Sequence, residues 1–166
     1  DSTKLSFNFP DVNGVDYFFP NPMQHMGNIT MIQLMGTWCP NCKDETKYLV
    51  ELYNKHNNDG LEIIALSFDK TDNFEKSKES ILRVAEFYSA KYDFLIAGSA
   101  NKINAAQALP MLNQIMSYPT SIFIDRKGNI RKIRTGFYGP GTGNYYTRYS
   151  TETNIFIEKL LAEKTD

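Results

Sequence analysis

The sequence contains few cysteines and little net charge. Only two of its 166 residues are cysteine, and both lie within one short segment. Two cysteines cannot form the multi-bridge framework of small secreted domains, and a ring closed over so few residues would constrain the unfolded chain little. A purely structural disulfide is therefore not expected. The formal net charge of −1 gives no reason to expect nucleic acid or an anionic membrane as a partner.

Long hydrophobic runs are also missing. No apolar segment is long enough to cross a bilayer, so the chain is not expected to span a membrane. It opens Asp1-Ser2-Thr3-Lys4, without the basic and apolar regions of an export signal. This start predicts either a cytoplasmic protein or a mature form from which an N-terminal signal or tether has been removed. The length predicts one domain over residues 1–166 with a core of its own.

The hydrophobic pattern of the first half predicts a βαβ unit behind an N-terminal hairpin. Two short β-prone runs flank the turn-rich segment Pro10–Gly14 and predict a hairpin extension over residues 1–28. The apolar run Ile29–Gly36 predicts a central strand buried on both faces. Residues 43–57 then show helical spacing, and residues 61–68 show the pattern of a parallel strand.

The second half predicts further helices and a second hairpin. The expected elements are a helical insert over 69–117 with a short strand at 92–96, hairpin strands at 120–124 and 129–135, and a loop over 136–149 before a last helix capped by Ser150 or Thr151. This order predicts a mixed sheet with helices on both faces.

The two cysteines occupy the segment Trp38-Cys39-Pro40-Asn41-Cys42, between the predicted central strand and the helix. If the helix begins at Pro40, Cys39 is its N-cap, and the free N–H groups of Asn41 and Cys42 point towards the Cys39 sulfur. These groups and the helix dipole favour the thiolate, which is the reactive form. The pattern predicts a redox pair in which Cys39 attacks and the less exposed Cys42 resolves the mixed disulfide.

A zinc half-site and two unrelated core cysteines are the alternatives to a redox pair. Structural zinc requires about four ligands, and His25 and His56 show no ligand spacing relative to the cysteines or to each other. We therefore expect no metal, and no cofactor other than a redox-active disulfide between Cys39 and Cys42. Both histidines are predicted to lie at the surface.

Three features together resemble the thioredoxin superfamily: the Trp-Cys-Pro-x-Cys segment after an apolar strand, Tyr118-Pro119-Thr120 before another strand, and the hairpin turn Asp125–Asn129. The segment Gly36–Glu45, the N-terminal hairpin and the long insert before Pro119 resemble its TlpA/ResA-like branch. The resemblance implies an α/β, thioredoxin-like fold. Its central mixed sheet is flanked by helices, with an N-terminal hairpin and a helical insert before a strand that begins at a cis-proline.

The resemblance also implies a substrate-binding set around the cysteines. Pro119 matches the cis-proline that lies against the cysteines and leaves the preceding backbone free to pair with an extended substrate. An ordinary trans-proline at a strand start is the alternative. Tyr118 would contact Cys39 and the substrate, or else serve as a core or surface aromatic residue. Trp38 is expected as a half-exposed lid beside Cys39, and Pro40 completes the set.

Glu45 has two possible roles. Thioredoxin-like proteins commonly bury an Asp six residues before the first cysteine, where this chain has Gln33, and Glu45 matches a Glu that the TlpA/ResA-like branch carries instead. The resemblance implies that Glu45 lies beneath the disulfide and exchanges a proton with Cys42, for which burial would raise its pKa towards neutrality. Alternatively, Glu45 is exposed and only stabilises the first turn of the helix.

The resemblance implies a monomeric thiol–disulfide oxidoreductase that acts on protein thiols and disulfides in an extracytoplasmic space such as the periplasm. There it would serve as a reductant supplied by an unidentified electron donor. A thiol peroxidase is one alternative, but such sites place a Thr three residues before the cysteine and use an Arg, whereas Thr37 is two residues before Cys39. A binding module with little turnover is another. The insert over 69–117 and the tyrosine-rich segment 136–149 would then form its partner surface.

Overall fold

The computed structural model describes residues 4–101, 105, 107–112 and 117–164. Short 3-10 turns at Asn57–Asp59 and Pro140–Thr142 accompany the regular elements. The strands are β1 (Phe7–Pro10), β2 (Asp16–Phe19), β3 (Ile29–Met35), β4 (Leu61–Asp69), β5 (Asp93–Ser99), β6 (Thr120–Ile124) and β7 (Ile130–Thr135). The helices are α1 (Pro22–His25), α2 (Pro40–His56), α3 (Phe74–Tyr88) and α4 (Asn144–Ala162).

The main sheet has five strands in the order β5-β4-β3-β6-β7. Strand β4 pairs in parallel with both β3 and β5, while β6 is antiparallel to β3 and β7 is antiparallel to β6. Strands β1 and β2 form a separate antiparallel hairpin in which Phe7 faces Phe19. A mixed sheet flanked by helices and preceded by a hairpin confirms the predicted fold class.

The segment predicted as a helical insert over 69–117 supplies both a helix and a strand. Helix α3 is followed by β5, which lies at the edge of the main sheet, close to the short strand predicted at 92–96. The parts of the predicted insert at 102–104, 106 and 113–116 lie outside the described residues. The segment therefore contributes to the central sheet as well as covering it.

Strand β3 positions the site because all seven of its residues are buried. Successive side chains of a strand point to opposite faces of the sheet. Met31 and Met35 accordingly pack in the core beneath α2, α3 and α4, whereas Ile32 and Leu34 pack in the core with the N-terminal hairpin. Gln33 lies between the two methionines and shares their face, so its polar side chain is buried on the side of the cysteine-bearing helix.

The surface positions predicted for the two histidines are wrong. His25 is 6% exposed and His56 is 5% exposed. The backbone N–H of Asn21 donates to Nδ1 of His25 at 2.8 Å, and the Tyr17 hydroxyl lies 3.0 Å from Nε2. Burial lowers the pKa of His25. Each histidine is the last residue of a helix, and the sequence pattern does not show that these final turns pack inwards.

The loop predicted over 136–149 is shorter than expected, because α4 begins at Asn144 instead of near Ser150. Gly143 precedes the helix with a φ of +63°, a left-handed conformation that favours glycine. The start of α4 is rich in polar and aromatic residues, so its sequence lacks the apolar spacing of a helix. Burial of Tyr149, which is 4% exposed, outweighs this weak local signal.

Candidate redox site

Cys39 and Cys42 form a disulfide at the beginning of α2, with their Cα atoms 5.2 Å apart. Pro40 is the first helical residue, where its missing N–H costs no hydrogen bond, and Cys39 is the N-cap. The backbone N–H of Cys42 donates to Sγ of Cys39 at 3.2 Å. Cys39 is 5% exposed and Cys42 is fully buried. The helix N-terminus therefore acts on the more accessible of the two sulfurs, as it would to stabilise a thiolate.

Tyr118 and Pro119 lie against this disulfide. The peptide bond between them is cis, as the family resemblance implies for Pro119. The carbonyl oxygen of Tyr118 lies 3.8 Å from Sγ of Cys39. The carbonyl oxygen of Pro119 accepts a 2.7 Å hydrogen bond from Gly136, which ties the start of β6 to the end of β7. The two residues thus form a fixed wall beside Cys39, and their role in binding substrate stays a prediction.

Trp38 precedes Cys39 in the chain and is 36% exposed. Its indole N–H donates to the carbonyl oxygen of Phe68 at 2.9 Å, and its ring meets the ring of Tyr118 edge to face at 5.6 Å. The ammonium group of Lys70 lies 4.7 Å from the centre of the indole. Gly36 leaves the room for this arrangement, since a Cβ there would overlap the indole ring. Trp38 is partly exposed as expected, and its role as a lid over Cys39 stays a prediction.

Asp69 is a site residue that the sequence analysis missed. It is 3% exposed, and its Oδ1 accepts hydrogen bonds from the backbone N–H of Thr37 at 3.1 Å and from the Thr37 hydroxyl at 2.9 Å. Its Oδ2 accepts from the Ser67 hydroxyl at 3.2 Å. The sequence did contain a signal for Asp69: it is an acidic residue at the carboxyl end of β4, next to the end of β3, where the segment that leads to Cys39 begins. Asp69 fixes the chain segment that leads into Trp38 and Cys39.

Glu45 is fully buried, which excludes the exposed alternative. Its Oε1 accepts a hydrogen bond from the Gln33 amide at 3.0 Å. Its Oε2 accepts from the Ser121 hydroxyl at 3.2 Å and from the Tyr149 hydroxyl at 3.0 Å. Burial raises the pKa of Glu45 to about 7, although these three donors and the charge of Arg134 act in the opposite direction. Glu45 can therefore hold or release a proton near neutral pH.

The Gln33 amide connects Glu45 to the backbone of Cys42. The same Nε2 atom that donates to Glu45 lies 3.3 Å from the carbonyl oxygen of Cys42, which also accepts from the Thr46 hydroxyl at 3.0 Å. In the sequence, Gln33 stands out only as a position without an acid. The contacts of Ser121 and Tyr149 with Glu45 were not predicted, because these residues lie far away in the chain.

The segment after β7 completes the surroundings of the disulfide. The side-chain amide of Asn41 donates to the carbonyl oxygen of Phe137 at 2.9 Å.

Across the described ranges, no three His, Cys, Asp or Glu side chains come together as metal ligands. No helix in the same ranges combines the length and apolar character needed to cross a membrane.

Similar proteins carry names that refer to thiol and disulfide chemistry. The thiol-disulfide oxidoreductase ResA of Geobacillus kaustophilus is 27% identical over 135 residues, which cover 81% of this chain and 68% of that protein. The ResA protein of Bacillus thuringiensis subsp. konkukian is 32% identical over 104 residues, which cover 63% of this chain and 53% of that protein.

Solved structures share the fold. A thiol:disulfide interchange protein of the thioredoxin family from Chlorobium tepidum superposes with a TM-score of 0.71 at 16% identity, covering 96% of each chain. A thiol-disulfide isomerase from Corynebacterium glutamicum gives a TM-score of 0.72 at 14% identity, covering 99% of each chain. These likenesses confirm the thioredoxin-like architecture. Finally, the model of one protein family matches residues 8–133, most of the chain, and with that match the chain belongs to the AhpC/TSA family.

Proposed function

We propose that this protein is a thiol–disulfide oxidoreductase that cycles Cys39 and Cys42 between the dithiol and the disulfide with protein partners. The observation that carries the proposal is the position of Cys39 at the start of α2. Its sulfur accepts the N–H of Cys42 and lies against the carbonyl group of Tyr118. The names of the relatives support the same activity.

In the reducing direction, the Cys39 thiolate attacks one sulfur of a substrate disulfide. A bond forms between Cys39 and that sulfur, and the second substrate sulfur leaves as a thiolate that takes up a proton. The Cys42 thiolate then attacks the Cys39 sulfur. This step restores the Cys39–Cys42 disulfide and releases the first substrate sulfur as a thiolate. Two electrons pass from the cysteine pair to the substrate, which leaves as a dithiol.

Glu45 supplies the proton acceptor for the second step in this proposal. Cys42 is buried and must lose its proton before it can attack, and Glu45 follows it by one helical turn on α2. A carboxyl group with a pKa of about 7 is present in both protonation states at neutral pH, so it can accept a proton and later return it.

We also propose that the protein acts as a reductant outside the cytoplasm, as a monomer supplied by a separate electron donor. The resemblance of Gly36–Glu45 to the TlpA/ResA-like branch supports this role. Trp38, Tyr118 and Pro119 would bind the substrate segment around its cysteine, because the Tyr118 carbonyl group lies against the Cys39 sulfur and the Trp38 ring meets the Tyr118 ring.

Two cysteine variants test the proposal. Cys39→Ser is expected to abolish the reduction of insulin disulfides by the dithiol protein, since it removes the attacking sulfur. Cys42→Ser is expected to accumulate mixed disulfides with several proteins, because Cys39 can still attack but the complex is not resolved. Cys39→Ser is the matched control and should trap none.

Other outcomes of the same experiment favour the alternatives. Persistent insulin reduction by Cys39→Ser would overturn the mechanism. One trapped partner, or none, with Cys42→Ser would indicate a binding module. Rapid and saturable consumption of peroxide would indicate a thiol peroxidase. The structure does not favour this outcome, because the Thr37 hydroxyl donates to Asp69 and is not directed at the cysteines.

A further inference from the structure

The carboxyl group of Glu45 has two chemically different sides. Oε1 faces the NH2 group of Gln33, which can only donate a hydrogen bond. That amide cannot turn over without placing its oxygen against the carbonyl group of Cys42. Oε2 faces the hydroxyl groups of Ser121 and Tyr149, each of which can donate or accept. The proton of a neutral Glu45 therefore belongs on Oε2. The two hydroxyl groups donate to Oε2 when Glu45 is ionised, and one of them can accept the proton of Oε2 when Glu45 is neutral.

Tyr149 is the stronger of the two hydroxyl donors. A phenol is more acidic than an aliphatic alcohol and gives a stronger hydrogen bond to a carboxylate. The Tyr149 oxygen is also nearer to Oε2, at 3.0 Å compared with 3.2 Å for Ser121. The contribution of Tyr149 to the ionised form of Glu45 should therefore exceed that of Ser121.

Arg134 and the surrounding rings hold Tyr149 in place. The guanidinium carbon of Arg134 lies 4.5 Å from the centre of the Tyr149 ring, and Arg134 itself donates to the Thr153 hydroxyl at 2.8 Å. The ring also meets Phe137 edge to face at 4.8 Å and Tyr48 at 5.7 Å. The ring contacts remain when the hydroxyl group is removed, so the ring should stay in position, although Arg134 also loses its hydrogen bond with the Tyr149 hydroxyl.

We propose that Tyr149 is a positioning residue that sets the proton affinity of Glu45, and with it the pH range in which the cysteine pair reacts. This inference rests on the role of Glu45 in the proposed function. The other titratable or charged groups that act on Glu45 or Tyr149 come from α2, from the segment before β5 and from β7, and they are unchanged in the variants described next. These groups are Tyr48, Tyr92 and Arg134.

The test is Tyr149→Phe, with the pKa of Glu45 followed by carboxyl 13C NMR in the oxidised protein. A hydrogen bond to a charged group is worth more than one to a neutral group, so its loss should raise the pKa of Glu45 by about one unit. The pH profile of insulin reduction should move upwards by a similar amount. Ser121→Ala should shift the pKa in the same direction by less.

Tyr146→Phe is the matched control. Tyr146 lies on the same helix, and its ring meets Phe137 and Tyr48 edge to face, at 6.2 Å and 6.3 Å. The hydroxyl group on Glu45 belongs to Tyr149, so the control should leave the pKa of Glu45 unchanged. A Glu45→Gln background provides a second control, because Tyr149→Phe should not move the pH profile when the carboxyl group is absent.

An unchanged pKa of Glu45 in Tyr149→Phe would overturn the inference. An equal loss of activity at every pH, with and without Glu45, would reduce Tyr149 to a structural role and would also overturn it. A shifted pKa with an unmoved pH profile would refute the link to the cysteine chemistry. Because the NMR titration needs neither substrate nor turnover, failure of the proposed function is recognised separately by the Cys39→Ser experiment.

Discussion

Glu45→Gln should remove a large dependence of stability on pH. The folded protein raises the pKa of Glu45 from its ordinary value of 4.5 to about 7, mainly through burial. Below pH 4.5 the group is neutral in both the folded and unfolded chain, so burial carries no charge penalty. Between pH 4.5 and 7 the unfolded chain ionises while the folded protein keeps the proton, so stability falls across this range, and above pH 7 the folded protein holds a buried carboxylate that the unfolded chain would hydrate. A shift of this size corresponds to a cost of about 3 kcal/mol.

The expected result concerns the difference between the variant and the original protein. The amide of Glu45→Gln carries no charge, and the hydroxyl groups of Ser121 and Tyr149 can accept its N–H groups. The free energy of unfolding of the variant minus that of the original protein should therefore increase by about 3 kcal/mol between pH 4 and pH 8. Urea denaturation of the oxidised protein at a series of pH values measures this difference.

Two features make the measurement selective. Burial also raises the pKa of Glu62 to about 7, but Glu62 is present in both proteins, so its contribution cancels in the difference. Glu51→Gln, on the exposed face of the same helix, is the matched control and should change the free energy of unfolding by less than about 0.5 kcal/mol at any pH. A Glu45→Gln difference that is the same at pH 4 and pH 8 would refute the reasoning.

Two further predictions concern the packing of Trp38 beside the disulfide and the hydrogen bonds of Arg126 at a distance from it. Gly36→Ala should displace the indole of Trp38, because the added Cβ would overlap the ring and stand 2.7 Å from the carbonyl oxygen of Phe68. Trp38 is the only tryptophan, so a red shift of the native fluorescence reports its exposure. Arg126→Ala should lower the free energy of unfolding by about 2 kcal/mol, since its guanidinium donates to three backbone carbonyls, including that of Leu161. Urea denaturation measures this loss.

Each of these two variants has a control on the same chain. Gly141→Ala should leave the fluorescence unchanged, because an added Cβ there meets nothing within 4 Å. Lys127→Ala removes a neighbouring exposed cation and should change stability by less than about 0.5 kcal/mol. Unshifted fluorescence in Gly36→Ala, or a stability loss in Lys127→Ala equal to that of Arg126→Ala, would contradict the packing arguments.

Local sequence rules were enough to predict the start of the cysteine-bearing helix. A cysteine followed by a proline at the end of an apolar strand specifies the N-cap and the first helical residue, and the structure has Cys39 and Pro40 in those positions. Both the strand and the helix cap depend on residues that are adjacent in the chain. The same is true of the two hairpins, whose paired strands are joined by short turns.

The environment of Glu45 could not be predicted in the same way. A glutamate in the first turns of a helix fits an exposed position and a buried one equally well. Whether it is buried depends on the residues that pack against it. Ser121 and Tyr149 belong to elements that reach Glu45 through the tertiary fold. The wrong prediction for His25 has the same origin, because its burial depends on Tyr17 and the fold of the N-terminal hairpin.

The hydrogen bond between Glu45 and Tyr149 joins residues 104 positions apart in the chain. Because synthesis proceeds from the N-terminus, the cysteine pair and Glu45 leave the ribosome long before α4 exists. Until that last helix docks, Glu45 lacks its phenol partner and Arg134 lacks the ring it stacks on. A chain that ends before α4 therefore carries both cysteines and Glu45, but it lacks the hydroxyl group of Tyr149 that donates to Glu45.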